Sequence, residues 1–280
     1  MQWAWDWPWL AAAIGIALIL FAGRAWKWRK LIHSLDGSVT FAQAAKSYLG
    51  GMPLGLVTPG RLGELSRCLF LPQASVRNLA GAGRVVLDNW TDFLSVLVWS
   101  TVGCAILWGW MGAVLGLGLS LLFNQLSVWL KVLQSVVALL PALKGIKAKI
   151  EKEIPVMASL PAGDYAAAVT AGIVLFGLEW LQLDFFLRFL GCVPGNVLIL
   201  GGLMALATLA NSIQITVAGV GVREALAVLL LAKAGVDYRI SLVAAFLQFA
   251  VNLMLPALLG LAVKAEGSFK ESVLGSAPSN

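Results

Sequence analysis

The stretch LVTPGRLGELSR, residues 56–67, interrupts an apolar chain with one proline, two glycines and three charged side chains. Proline lacks a backbone donor and glycine tolerates positive φ, so a helix that arrives from Phe41 is predicted to break here. At membrane depth each charge would cost roughly 2.5–3.5 kcal/mol, and the three together about 8–10 kcal/mol, comparable to the net stability of a domain. These side chains are therefore predicted to face protein, water or a ligand rather than lipid.

Composition indicates that the break lies in a membrane protein. Of the 280 residues, 60% are hydrophobic and 12% are charged, whereas soluble domains carry about 25% charged residues. Several of the twelve tryptophans cluster where helix ends should meet lipid headgroups. The lysines and arginines behind the net charge of +6 fall between apolar spans, which favours membrane topology and anionic lipid over nucleic acid as their role.

The apolar spans and the basic segments predict a topology in the bacterial inner membrane. A bilayer core of about 30 Å needs about 20 apolar residues. Crossing helices are predicted at 7–23, 85–108, 112–137, 165–187 and 241–263. Two basic clusters mark the cytoplasmic side by the positive-inside rule: Arg24, Lys27, Arg29 and Lys30, and Lys144, Lys147, Lys149 and Lys152. The N-terminus is therefore predicted outside and the C-terminus in the cytoplasm.

Two short segments predict an internal repeat of opposite topology. Residues 61–72 and 222–233 each follow a glycine-rich break and are each 12 residues long, about 18 Å of helix, which is too short to cross. When the chain is shifted by about 160 residues, 58–64 falls on 216–224 and Asp92 falls on Asn252. Three crossings separate the first helices of the two halves, so the halves are predicted to be inverted, as in many transporters.

The predicted fold is all-α: a polytopic membrane helical bundle built as an inverted repeat of two units, each a helix, a re-entrant hairpin and a helix. It forms a single transmembrane domain over 1–280. Its parts are repeat 1 at about 7–109, a linking helix and basic cytoplasmic loop at about 110–164, repeat 2 at about 165–264, and a flexible tail at 265–280.

Arginines beside the two breaks point to phosphate binding. Their forked donors suit phosphate, and each short helix starts just after a break, so its N-terminus offers free N–H groups and a positive dipole end. Glu64 and Glu224 either pair with the arginines or only cap their helices, and both readings stay open. Asn211, Gln214 and Asn252 either line the cavity or bond helix to helix. The candidate substrate-binding residues are Arg61, Glu64, Arg67, Asp92, Asn211, Gln214, Arg223, Glu224 and Asn252.

Two further acids, Glu179 and Asp184, lie inside an apolar run. One of them is expected to neutralise Arg188, and the other is expected to face the cavity. The sequence does not decide between them.

The two break motifs resemble a known family. TPGRLGELSR (58–67) and AGVGVREALAVLLLAKAG (218–235) are similar to the lysylphosphatidylglycerol synthase transmembrane-region family, whose members are flippase-like integral membrane proteins. The resemblance implies translocation of a lipid or lipid-linked molecule. Some members fuse this module to a soluble aminoacyltransferase domain, which is not expected here. Members often have Glu-Arg where this sequence has Asp88-Asn89, which leaves Asp88 or Asp92 as the acidic partner.

The function predicted is a translocase for an anionic phospholipid or a polyprenyl-phosphate-linked lipid. The sequence has no DDxxD, HExxH, GxSxG or Walker lysine motif, so we expect no enzyme activity, cofactor or metal. The expected partners are membrane lipids and not nucleic acid; a homo-oligomer or a synthase partner stays open. Two alternatives also stay open: a transferase or its lipid-binding accessory component, and a secondary transporter of a small anion.

Overall fold

The computed structural model describes residues 5–77, 79–124, 160–193, 196–210 and 222–263. These ranges contain helices and no strand, which confirms the all-α class. Four of the described helices are long and apolar enough to cross a membrane: Trp7–His33, Ala80–Phe123, Ala162–Phe189 and Tyr238–Val263. The crossings predicted from the first apolar run, from 85–108, from 165–187 and from 241–263 all fall within these four helices.

The described helices follow one another along the chain in a simple order. They are α1 (Trp7–His33), α2 (Phe41–Val57), a 3₁₀ helix (Pro59–Phe70), α3 (Leu79–Phe123), α4 (Ala162–Phe189), α5 (Val197–Ala210), α6 (Val222–Lys233) and α7 (Tyr238–Phe249). A short 3₁₀ turn, Ala74–Val76, precedes α3. After α7 the chain continues as helix to Val263 through a π-helical stretch at Ala250–Met254.

The predicted break after Val57 is confirmed, and it forms the tip of a tight helical hairpin. Thr58 has an extended backbone; its Oγ1 donates to the carbonyl of Leu54 and accepts from the Gly63 amide at 2.6 Å. Gly55 lies so close to the Glu64 side chain that a Cβ on Gly55 would overlap the Glu64 Cγ. α2 and the 3₁₀ helix therefore run antiparallel in close contact. Whether this hairpin re-enters the membrane stays a prediction.

α3 turns back on itself at Gly109, which confirms the predicted turn between two crossings. Gly109 has φ 64° and ψ −147°, a conformation that is essentially restricted to glycine. Beyond Gly109 the chain returns along the part of α3 that precedes it. The Phe123 ring packs against those of Trp90 and Phe93, with centroid distances of 6.3 and 5.4 Å. The rest of the predicted crossing at 112–137 lies outside the described residues.

α1 and α4 pack along one another in opposite directions. The Trp7 ring lies 5.6 Å from that of Phe189 at one end, and Lys30 Nζ lies 3.0 Å from Asp164 Oδ1 at the other. Opposite directions for these helices are what an inverted repeat requires. The second break, at 211–221, lies outside the described residues, so the repeat itself stays a prediction.

The apolar core has two main clusters, each built mostly by one half of the chain. In the first half α1, α2 and the start of α3 enclose a cluster that includes Trp28, Ile32, Tyr48, Leu71 and Val85. In the second half α4 to α7 enclose another that includes Leu183, Phe186, Leu200, Leu231 and Ala244. Large apolar side chains are exposed on the outer faces of the long helices, as expected for helices that face lipid.

Candidate functional site

Five charged side chains from α1, the 3₁₀ helix and α3 meet in one group, which we call the ion cluster: Lys27, Glu64, Arg67, Asp88 and Asp92. Lys27 Nζ lies 3.1 Å from Asp88 Oδ1 and 2.5 Å from Asp92 Oδ1. Arg67 bonds the other Asp88 oxygen through Nη1 at 2.5 Å and bonds Glu64 through Nη2. The result is one chain of contacts, from Asp92 through Lys27, Asp88 and Arg67 to Glu64.

Helix periodicity explains why these side chains share one face. Glu64 and Arg67 are separated by one turn of a 3₁₀ helix, so they lie one above the other. Asp88 and Asp92 are separated by about one turn of α3 and therefore also lie on one face. The hairpin formed by α2 and the 3₁₀ helix places Glu64 and Arg67 against α3. α1 places Lys27 between Asp88 and Asp92.

Four members of the ion cluster are buried, and the fifth is at its edge. The side chains of Lys27, Arg67, Glu64 and Asp88 are 1%, 2%, 2% and 5% exposed, whereas that of Asp92 is 47% exposed. Because the four buried groups carry two positive and two negative formal charges, the buried part is balanced. Asp92 adds a negative charge at the exposed edge of the cluster.

An aromatic pocket holds the Arg67 guanidinium. Its carbon lies 5.2 Å from the Trp28 ring and 4.7 Å from the Tyr48 ring, within the range of cation–π attraction. Trp28 Nε1 donates to Ser47 Oγ at 3.1 Å, and Ser47 Oγ donates to the Arg67 carbonyl at 2.6 Å. Both the head group and the backbone of Arg67 are therefore fixed by α1 and α2.

The structure decides between the two acids of α4. Asp184 bonds Arg188 Nε at 2.6 Å, so Asp184 is the acid that neutralises Arg188. Glu179 instead bonds Arg24 of α1. Arg188 also lies over the Trp9 ring at 5.0 Å, which ties the end of α4 to the start of α1.

Asn252 lies apart from the ion cluster, in a buried amide pair. Its Nδ2 donates to Gln182 Oε1 at 2.6 Å, and Gln182 Nε2 donates back to Asn252 Oδ1 at 3.2 Å. Gln182 Nε2 also donates to the Ala13 carbonyl at 3.0 Å. Of the two readings given to Asn252, the structure supports the bond from helix to helix.

The structure thus unites three of the predicted site residues, Glu64, Arg67 and Asp92. Arg61 lies in the first turn of the 3₁₀ helix, and Arg223 and Glu224 lie in the first turn of α6. The phosphate-binding roles given to the two arginines stay predictions, and so does the pairing or capping role given to Glu224. Asn211 and Gln214 lie outside the described residues.

Sequence reasoning missed Lys27. It was grouped with the basic residues that mark the cytoplasmic side, a role that stays a prediction, whereas α1 continues to His33 and buries the Lys27 side chain. The signal was present in the spacing. Ala13, Leu20 and Leu31 are buried on α1, and Lys27 follows Leu20 by two helical turns, which places both on the same face of the helix.

Comparison with known proteins agrees with the resemblance seen in the two break motifs. The model of the family described as "Lysylphosphatidylglycerol synthase TM region" matches residues 2–260 of the 280. Neither the curated proteins nor the solved structures contain a match to this chain.

Proposed function

Because the chain belongs to the lysylphosphatidylglycerol synthase TM region family, we propose that it moves an anionic lipid between the leaflets of the bacterial inner membrane. The lipid is a phospholipid or a polyprenyl-phosphate-linked molecule. The chain is an integral membrane protein with apolar membrane-spanning helices. The observation that carries the proposal is the ion cluster, whose cations Lys27 and Arg67 are buried while its edge at Asp92 is open.

Stability alone does not account for such a cluster. Replacing a buried ion pair with well-packed apolar groups is often neutral or stabilising by about 1–4 kcal/mol. Ionisable groups in membrane helices generally mark the path of a substrate or ion. A lipid phosphate needs fixed cations on its way between leaflets, and Lys27 and Arg67 are held in place by α1, α2 and α3.

Contacts between α1 and α4 support an inverted arrangement of the halves. The bonded pair Arg24 and Glu179 has a sequence separation of 155. The first residues of the two helices, Trp7 and Ala162, have the same separation, and so do Leu20 and Leu175, which share one small core cluster. Contacts between equivalent positions are what a two-fold axis between the helices would produce, with both repeats facing one shared path.

Two close backbone contacts support the same arrangement. On α3, a Cβ at Gly103 would overlap the Gly202 carbonyl of α5. On the helix that continues from α7, a Cβ at Gly260 would overlap the Leu49 carbonyl of α2. Under the inverted repeat α3 corresponds to α7 and α5 to α2, so these are equivalent contacts between equivalent helices.

The translocation step itself follows from this arrangement. The headgroup phosphate binds cations near one face, its acyl tails stay in lipid, and Arg61 and Arg223 receive the phosphate at the starts of the two short helices. The N-terminus lies outside and the C-terminus in the cytoplasm, as the basic segments indicate. The chain has no catalytic step in this proposal.

Scrambling of labelled lipids in proteoliposomes tests the proposal. Purified wild-type protein is expected to speed the exchange of phosphatidylglycerol between leaflets over protein-free vesicles. Arg61→Ala and Arg223→Ala are each expected to slow it at least tenfold, because each removes a forked donor for phosphate. Lipid binding without any exchange would favour the transferase or accessory alternative. Exchange of a soluble anion without exchange of lipid would favour the small-anion carrier.

A further inference from the structure

We propose, on the premise of the proposed function, that Lys27 binds the anionic headgroup and that the headgroup displaces Asp92 from it. The second half carries an uncharged counterpart of this pair, Gln182 with Asn252. The Lys27 site for the anion therefore has no charged counterpart at the equivalent place in the second half.

Oxygens already surround the Lys27 ammonium group. An ammonium group has three N–H donors and no acceptor. Three oxygens already surround Lys27 Nζ: the Asp88 carbonyl at 3.1 Å, Asp88 Oδ1 at 3.1 Å and Asp92 Oδ1 at 2.5 Å. A phosphate oxygen that takes the place of one of these three would keep Nζ surrounded by the same number of oxygens.

Asp92 is the ligand of Lys27 that can leave. Asp88 is buried, it offers its backbone carbonyl as well as one carboxylate oxygen to Lys27, and Arg67 bonds its other carboxylate oxygen. Asp92 is 47% exposed and contacts the cluster through Lys27. Its carboxylate therefore has room to turn away from Nζ, and a headgroup phosphate, which is also an anion, can take its place there.

The amide pair occupies the equivalent place in the second half. The separation of 155 that relates Arg24 to Glu179 also relates Lys27 of α1 to Gln182 of α4. Asp92 and Asn252 agree to within one position when each is counted from the first residue of its helix, Leu79 of α3 or Tyr238 of α7. Each pair thus joins the first helix of its half to the last helix, at positions that agree to within one residue.

The two pairs lie toward opposite faces of the membrane. Lys27 lies in the last third of α1, and Gln182 lies in the last third of α4. Because α1 and α4 run in opposite directions, Lys27 is near one face and Gln182 is near the other. The Gln182 and Asn252 amides carry no formal charge and satisfy one another. An anionic headgroup consequently meets a fixed cation of this kind at one face only.

Binding of short-chain phosphatidylglycerol to the purified full-length protein in detergent tests the proposal. Asp92→Asn is expected to tighten binding several-fold, because an uncharged amide competes less well with the phosphate for Lys27. The double variant Lys27→Gln/Asp92→Asn copies the second-half pair and leaves the formal charge of the ion cluster unchanged. It is expected to weaken binding at least tenfold. One headgroup is expected per wild-type chain.

The matched control is Lys30→Gln/Asp164→Asn. It makes the same exchange in a pair that also joins Lys to Asp, at 3.0 Å, but lies 42% and 21% exposed. Binding in this variant is expected to equal that of the wild type. Size-exclusion profiles and thermal unfolding establish that each variant is folded, and Asp92→Asn decides the matter even where the double variant does not fold, since it changes an exposed side chain.

Unchanged or weaker binding in folded Asp92→Asn, or two equal sites per wild-type chain, would overturn the proposal. Inorganic phosphate as a second probe separates the two sources of the anion. If millimolar phosphate competes with the lipid, the ligand of Lys27 is a free anion. If it does not compete, the ligand is the lipid headgroup. Binding in detergent does not depend on translocation. Binding as described without scrambling of lipid would support this proposal and contradict the proposed function.

Discussion

At the scale of the residue, Arg67 and Lys27 act as fixed cations because of the groups that surround them. Arg67 is bonded to two carboxylates and stacked on two rings. A carboxylate that loses its buried cation keeps its charge in a place that water cannot reach, which costs more than the pair contributes. The consequences of removing either cation are therefore large and specific.

Arg67→Ala is expected to lower the free energy of unfolding by about 3–5 kcal/mol, because it leaves Asp88 and Glu64 short of a buried cation. Unfolding in mixed detergent micelles, followed by tryptophan fluorescence, measures the change. Lys30→Ala is the control: it breaks a partly exposed pair, and its expected cost is below about 1 kcal/mol. Equal costs for the two variants would show that the ion cluster is not held as described.

Residue patterns predicted part of this site. Glu64, Arg67 and Asp92 stood out because charge is rare in apolar sequence. Lys27 did not, because it is flanked by other basic residues and a membrane boundary explains such a group equally well. The choice between Glu179 and Asp184 as the partner of Arg188 depended on which helix packs beside α4, and α1 supplies Arg24 for Glu179.

At the scale of the element, proline and glycine fix where the chain breaks. The tip after Val57, the turn at Gly109 and the bounds of α6 at Val222–Lys233 agree with the sequence prediction. The 3₁₀ form of Pro59–Phe70 does not follow from the local pattern. The close packing of this element on α2 is also not visible in the local pattern: Gly63 lies so near the Leu54 carbonyl that a Cβ would overlap the oxygen.

Gly109→Ala is expected to cost about 1–3 kcal/mol of stability, because its φ of 64° is unfavourable for a residue with a Cβ. No heavy atom of the described residues would lie within 4 Å of that Cβ, so the cost is one of backbone conformation alone. Gly118→Ala is the control, since Gly118 also has open space and lies in a helix. Its expected change is below about 1 kcal/mol. Thermal unfolding in detergent compares the two, and equal shifts would contradict the turn.

At the scale of the whole molecule, the inverted repeat stays a prediction, and it would account for the antiparallel packing of α1 and α4. It would also account for one charged and one uncharged pair at nearly equivalent positions of the two halves. The repeat in the sequence was visible only through its breaks, because apolar helices tolerate many substitutions and keep little similarity. The contacts of Arg24 with Glu179 and of Leu20 with Leu175 are ones that such a repeat would produce.

Single cysteines at positions 60 and 219 test the inverted arrangement. With Cys68, Cys104 and Cys192 replaced, we expect each new thiol to react with a membrane-impermeant reagent from a different side of the membrane, because the two breaks enter from opposite faces. Labelling of cells and of inverted vesicles gives the readout. Reaction of both thiols from the same side would contradict the repeat.

The most direct test of the central claim is leaflet exchange of labelled phosphatidylglycerol in proteoliposomes that contain wild-type protein, Lys27→Gln/Asp92→Asn or Lys30→Gln/Asp164→Asn. We predict fast exchange for the wild type and the exposed-pair control, and exchange at least tenfold slower for the ion-cluster variant. Exchange by the wild type no faster than in protein-free vesicles would contradict the account.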